Sequence, residues 1–100
     1  MIINIEKNLN GTELTVTIAG RLDTTTAPQL EAELKPGMEG VETLILDLAA
    51  LEYLSSAGLR VLLSAQKTMN KQGKMIVRNV NETINEIFDV TGFIDILTIE

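Results

Sequence analysis

The sequence predicts an α/β (α+β-like) fold, a single domain over residues 1–100, with a mixed β-sheet, packed helices and the order β-β-α-β-α-β-α. Three observations predict it. Leu14, Val16 and Ile18 alternate with Thr15, Thr17 and Ala19 just after an Asn-Gly pair. Residues 41–48 form an apolar run broken only by Glu42, Thr43 and Asp47, as in a central strand covered on at least one face. Leu59, Leu62, Leu63, Gln66 and Met69 then recur at the spacing of three and four that places side chains on one face of a helix.

Taken in order, Ile3, Ile5 and Leu9 lead to Asn10-Gly11, a dipeptide suited to a tight turn because glycine accepts positive φ. The strands on either side pair as an antiparallel hairpin. Gly20-Arg-Leu-Asp-Thr-Thr-Thr-Ala-Pro28 ends the second strand and opens a helix. Any of Asp23, Thr24, Thr25 and Thr26 can cap it, and Pro28 suits its first turn, where no intrahelical N–H bond is lost. Leu30 and Leu34 share a face, and Pro36-Gly37 stops this helix. After the central strand come a short loop, the serine pair Ser55-Ser56, and a helix running to about Gln72 and ended by Gly73. Residues 74–78 are a further strand. Asn81 caps a third helix carrying Ile84, Ile87 and Phe88 and closed by Thr91-Gly92, and Ile94, Ile96 and Leu97 add a last contact or short strand.

Composition removes whole classes of chemistry. With 100 residues and 45% hydrophobic content the chain suits one core, built from aliphatic side chains because it has two Phe, one Tyr and no Trp. A net charge of −6 argues against nucleic-acid and anionic-membrane partners. Without cysteine or histidine, disulfides, zinc sites and a Ser-His-Asp triad are excluded. No glycine-rich phosphate loop occurs, so the reading is no metal and no cofactor. Asp23 with Asp47 is the remaining carboxylate pair for acid–base work, but a helix cap and a strand end explain them more simply, so no catalytic residue and no enzyme are predicted. No apolar run reaches the roughly 18–20 residues of a membrane span, and residues 1–7 lack a signal-peptide profile, which predicts a soluble cytoplasmic protein; monomer is the default state, although the apolar-rich chain would permit a weak dimer.

Charge is unevenly placed. Residues 1–52 hold nine acids against Lys7, Arg21 and Lys35, whereas Arg60, Lys67, Lys71, Lys74 and Arg78 are the only charged residues from 53 to 80. The basic stretch is either a solvated helix face or a docking surface for an acidic partner. The serines are equally two-sided. One hydroxyl can cap the helix by accepting from a free backbone N–H, worth about 1 kcal/mol. The second is then spare, beside the positive end of the helix dipole.

Leu44-Ile-Leu-Asp-Leu48, followed by Leu51-Glu-Tyr-Leu-Ser-Ser-Ala-Gly-Leu-Arg-Val-Leu-Leu63, resembles the STAS domain of bacterial anti-sigma factor antagonists. Residues 20–28 and 81–93, the latter with Phe88, Thr91 and Gly92, are similar to that family's early loop and final helix, so the resemblance spans nearly the whole chain. It implies a regulator that binds an anti-sigma factor serine kinase, is released when phosphorylated, and is reset by a metal-dependent serine phosphatase. The family's Asp-Ser-Ala-Gly setting maps onto Ser55-Ser56-Ala57-Gly58 and makes Ser56 the implied phosphoacceptor, with Ser55 second. The usual acid before the acceptor is Ser55 here, and in the Asp-Ser-Ser-Gly alignment the acceptor position falls on Ala57. The implied partner-binding surface takes Asp23, Thr24 and Thr25 from the early loop, and Ser55, Ser56, Ala57, Gly58 and Arg60 from the helix start. The alternative is an unphosphorylated STAS binding module of a transporter, secretion or sensory complex.

Overall fold

The computed structural model describes residues 3–100. Strands β1 (Ile3–Asn10) and β2 (Glu13–Leu22) form the expected antiparallel hairpin. Its register pairs Asn10 with Glu13, so the loop is Gly11-Thr12, with Gly11 at φ 65°, one residue later than the Asn-Gly pair suggests. Helix α1 (Ala27–Gly37), strand β3 (Thr43–Asp47), helix α2 (Ser56–Gln72), strand β5 (Lys74–Arg78) and helix α3 (Glu82–Thr91) follow at the anticipated places.

One strand was not anticipated. Leu51–Leu54 forms β4, so the order is ββαββαβα rather than a loop joining the central strand to the serines. Its four residues are buried only at the two ends, a pattern without alternation from which pairing cannot be read. The partner explains it: β2 pairs in parallel with β3 through residues 13–17, then with β4 through residues 20–22. The register shifts between Gly20 and Arg21, where Gly20 adopts φ 102°, a conformation open to glycine and costly for other residues. The main path of the mixed sheet is β1-β2-β3-β5, with only the β1–β2 pair antiparallel.

The core lies between one face of this sheet and the helices. Val16, Ile18, Leu44 and Leu46 face Leu30 and Leu34 of α1, Leu62 and Met69 of α2, and Ile84 and Phe88 of α3, all buried in one cluster. By strand alternation Ile45 and Ile76 lie on the opposite face; they are paired by register and buried outside that cluster. Asn81 caps α3 as the sequence predicts, its Oδ1 accepting from Ile84 N–H at 2.9 Å. Its Nδ2 also donates to the Leu51 carbonyl at 2.7 Å, which ties α3 to β4. After a short 3₁₀ turn (Phe93–Asp95), Leu97 is buried and Ile99 bridges in parallel to Val77 of β5.

The α2–β5 turn is held against the start of β3. Lys74 N–H donates to the Glu42 carbonyl at 2.9 Å, and a Cβ on Gly73 would overlap that same carbonyl oxygen. Backbone cannot retreat as the end of a side chain can. Gly73→Ala is therefore expected to destabilise the fold by about 3 kcal/mol, the upper end for overpacking, measured as a lower urea midpoint.

Candidate functional site

The end of β4 sets the two serines. Ser55 N–H donates to the Leu22 carbonyl at 2.9 Å, continuing the ladder with β2. The chain then turns. Ser55 is the N-cap of α2 with extended backbone (φ −90°, ψ 174°), its carbonyl takes the first helical bond from Leu59 N–H, and its Oγ accepts from Gly58 N–H at 3.4 Å. Ser56 is the first helical residue. It is exposed, and its hydroxyl makes no protein hydrogen bond among the described residues. So the two serines divide the roles: one caps, and the other is free. No acid lies in the first turn of α2, which leaves its positive dipole end uncompensated.

Gly58 brings that turn down onto the sheet. It is buried, and a Cβ would lie 2.7 Å from Leu54 Cδ1 and 2.8 Å from Leu22 Cγ. Close packing at the ends of β2 and β4 thus accounts for the glycine.

The second part of the site is the loop after β2. Asp23 Oδ1 accepts from Thr25 N–H at 2.9 Å, Thr26 N–H at 3.1 Å and the Thr25 hydroxyl at 2.7 Å. Thr26 occupies the N-cap position of α1 without capping it. Its buried hydroxyl accepts from Asp23 N–H at 2.8 Å and donates to the Arg21 carbonyl at 2.7 Å. Of the candidate caps, Asp23 and Thr26 share the work of closing the loop. The Thr25 hydroxyl foremost, with the N–H groups of Thr25 and Thr26, holds the Asp23 carboxyl below its ordinary range, while partial loss of solvent opposes them. Thr24 and Thr25 are exposed.

The two parts meet in a groove of about 240 Å³, with Thr24, Pro28 and Glu31 on one wall and Ala57, Arg60 and Val61 on the other. Of the predicted surface, Thr24, Ala57 and Arg60 line this groove. Sequence reading missed Pro28, Glu31 and Val61, which the packing of α1 on α2 brings in. It also missed the Arg21 guanidinium stacked 4.4 Å above the Tyr53 ring beside the loop, a pair that only the β2–β4 register places together. Arg60 forms no ion pair among the described residues.

The STAS domain model matches residues 4–100. The chain is 35% identical over 100 residues to an anti-sigma-B factor antagonist of Bacillus subtilis, covering 99% of this chain and 92% of the relative. The chain is a STAS-domain protein of the anti-sigma factor antagonist family. Its fold is also that of an anti-sigma factor antagonist from Mycobacterium paratuberculosis, with a TM-score of 0.89 at 23% identity over 98% of this chain and 85% of the other. The antagonist SpoIIAA of Bacillus shares it in the unphosphorylated form (TM-score 0.83, 18% identity, 97% and 88% covered) and in the phosphorylated form (TM-score 0.75, 18%, 97% and 91%).

Anti-sigma factor antagonists are regulatory proteins and not enzymes. In this STAS domain Asp47, like Asp23, serves local structure: its Oδ1 accepts from Ala49 N–H at 3.0 Å and its Oδ2 from the Asn79 amide at 3.2 Å. Among the described residues no group of three or more acids could hold a metal ion, and no helix is long and apolar enough to cross a membrane.

Two outcomes follow from this geometry. Ser55→Ala is expected to cost about 0.5–1 kcal/mol, the low end for a cap because its hydrogen bond is long, whereas Ser56→Ala leaves the urea midpoint within error. Asp23, with its pKa lowered in the fold, contributes stability that is present above about pH 4, where the unfolded side chain is ionised, and is lost as pH falls through its folded value. The melting-temperature gap between wild type and Asp23→Asn should therefore be widest near neutral pH and narrow below about pH 4.

Proposed function

We propose that this STAS domain is a cytoplasmic, monomeric antagonist that binds an anti-sigma factor serine kinase, loses it when Ser56 is phosphorylated, and is reset by a metal-dependent serine phosphatase. The observation behind this reading is the division of roles at α2: Ser55 is engaged as the cap, while the Ser56 hydroxyl is exposed beside the groove. The resemblance of Ser55-Ser56-Ala57-Gly58 to the family's acceptor motif and the phosphorylated form of SpoIIAA agree with it.

The chemistry fits a switch that works on the partner rather than on the fold. A phosphoryl group adds about −1.5 to −2 charges near neutral pH. At the first position of a helix it meets free N–H groups and the positive dipole end, so the domain tolerates it. Inside a packed interface the same charge has to be desolvated or neutralised. A loss of about 3 kcal/mol there releases a partner more than a hundredfold more readily.

The absence of an acid before Ser56, where Ser55 stands, supports a second reading: a binding module that is never phosphorylated, within a transporter, secretion or sensory complex. Phosphopeptide mapping of residues 54–60 on protein isolated from its own cells separates the two. The switch predicts phosphate on Ser56, none in Ser56→Ala, and Ser56→Asp binding the kinase at least about a hundredfold more weakly at an unchanged melting temperature. An unmodified peptide across growth and stress conditions, with Ser56→Asp still bound, selects the second reading.

A further inference from the structure

Ser56, Arg60, Ser64, Lys67 and Lys71 are all exposed on α2. At 100° per residue they fall within about 80° of one another, and at 1.5 Å per residue they span about 22 Å. The stripe therefore starts at the free hydroxyl and runs the length of the helix. It holds three cations, and α2 contains no Asp or Glu. Neither Arg60, Lys67 nor Lys71 forms an ion pair among the described residues, where the recorded pairs are Lys7–Glu33 and Arg78–Glu100. Glu31 shares the groove with Arg60 but lies beyond ion-pair reach.

Helix stability does not account for this arrangement. A cation suits the last turn, where Lys71 lies, because the dipole is negative there. Arg60 lies toward the positive end, and like charges four apart on one face, as with Lys67 and Lys71, repel each other. The other two helices carry acids on their surfaces, Glu31 and Glu33 on α1 and Glu82, Glu86 and Asp89 on α3. In a chain with net charge −6, α2 is thus the one basic helix among the described residues.

We propose that the ridge Arg60–Lys67–Lys71 is a docking surface for an acidic strip on the partner protein, extending the contact from Ser56 down the length of α2. This rests on the reading of a kinase partner at Ser56 and adds the chemistry of its surface. The ridge steers encounter, since exposed charges act mainly on the association rate and are screened by salt. Phosphate on Ser56 then places negative charge at the head of a basic track, weakening its pull on an acidic partner one turn from Arg60.

The test uses the purified kinase that modifies Ser56, with binding kinetics measured at about 50 and 500 mM salt. Lys67→Glu/Lys71→Glu is expected to weaken binding about tenfold at low salt, mostly through slower association, with the gap closing at high salt. Lys35→Glu/Lys74→Glu carries the same change in net charge elsewhere and is expected to bind almost as wild type. Melting temperatures and Lys67→Gln/Lys71→Gln guard against a folding artefact. Unchanged binding by the ridge variant, an equal loss in both charge-reversed variants, or binding of a DNA duplex through the ridge overturns the proposal. If Ser56 is phosphorylated and the ridge variant binds as wild type, the ridge alone fails. If no kinase binds or modifies the wild type, the parent reading fails, and the ridge assignment falls with it.

Discussion

The length of β2 is the constraint on which the rest depends. Ten residues are too many for β3 alone, so the same edge serves β3 first and β4 afterwards, with Gly20 supplying the kink between them. That hand-over places the end of β4 beside the end of β2. It thereby fixes where α2 begins, and it puts the Asp23 loop and the serine pair at the same end of the sheet. Leu22 and Leu54, the last residues of the two strands, then receive Gly58 of the helix. A shorter β2 would leave β4 without a partner and the first turn of α2 without a seat.

The site follows from these backbone positions more than from unusual side chains. Ser55 hydrogen-bonds backward to β2 through its N–H and forward to the helix through its carbonyl and hydroxyl. Its neighbour inherits the exposed first position of the helix with nothing to bond. Across the groove, the Asp23 loop satisfies its own polar groups, so it presents a preformed wall and leaves the threonine side chains Thr24 and Thr25 at the surface. A wall whose polar groups are already paired would need little further ordering under the proposed partner.

Much of this was legible in the order of residues. Asn81 as a cap, Gly73 and Gly92 as helix ends, and the alternation of Leu14, Val16 and Ile18 each arise from local physics, and each stands in the fold where the pattern places it. The free hydroxyl of Ser56 follows from the same local rule, once one of two adjacent serines is assigned to the cap. What stayed hidden is non-local. β4 exists because of a register on β2, Pro28 and Glu31 join the groove because two helices pack, and Arg21 meets Tyr53 because their strands are paired. The threonine run was ambiguous for another reason: Thr24, Thr25 and Thr26 offer the same hydroxyl, and only burial selects Thr26 for the inward bond.

The segment after the 3₁₀ turn has a protective consequence. By running along β5, Ile99 and its neighbours take up Val77 N–H and C=O, donated to Thr98 and accepted from Glu100, which would otherwise stand open at the sheet margin. An open strand margin of apolar residues is a template for aggregation. At the opposite margin, β1 carries exposed Glu6 and Lys7, and the Lys7 ammonium is held 2.7 Å from Glu33. The two margins are thus guarded by different means, at Val77 by cover and along β1 by charge, both of which oppose the pairing of sheets edge to edge.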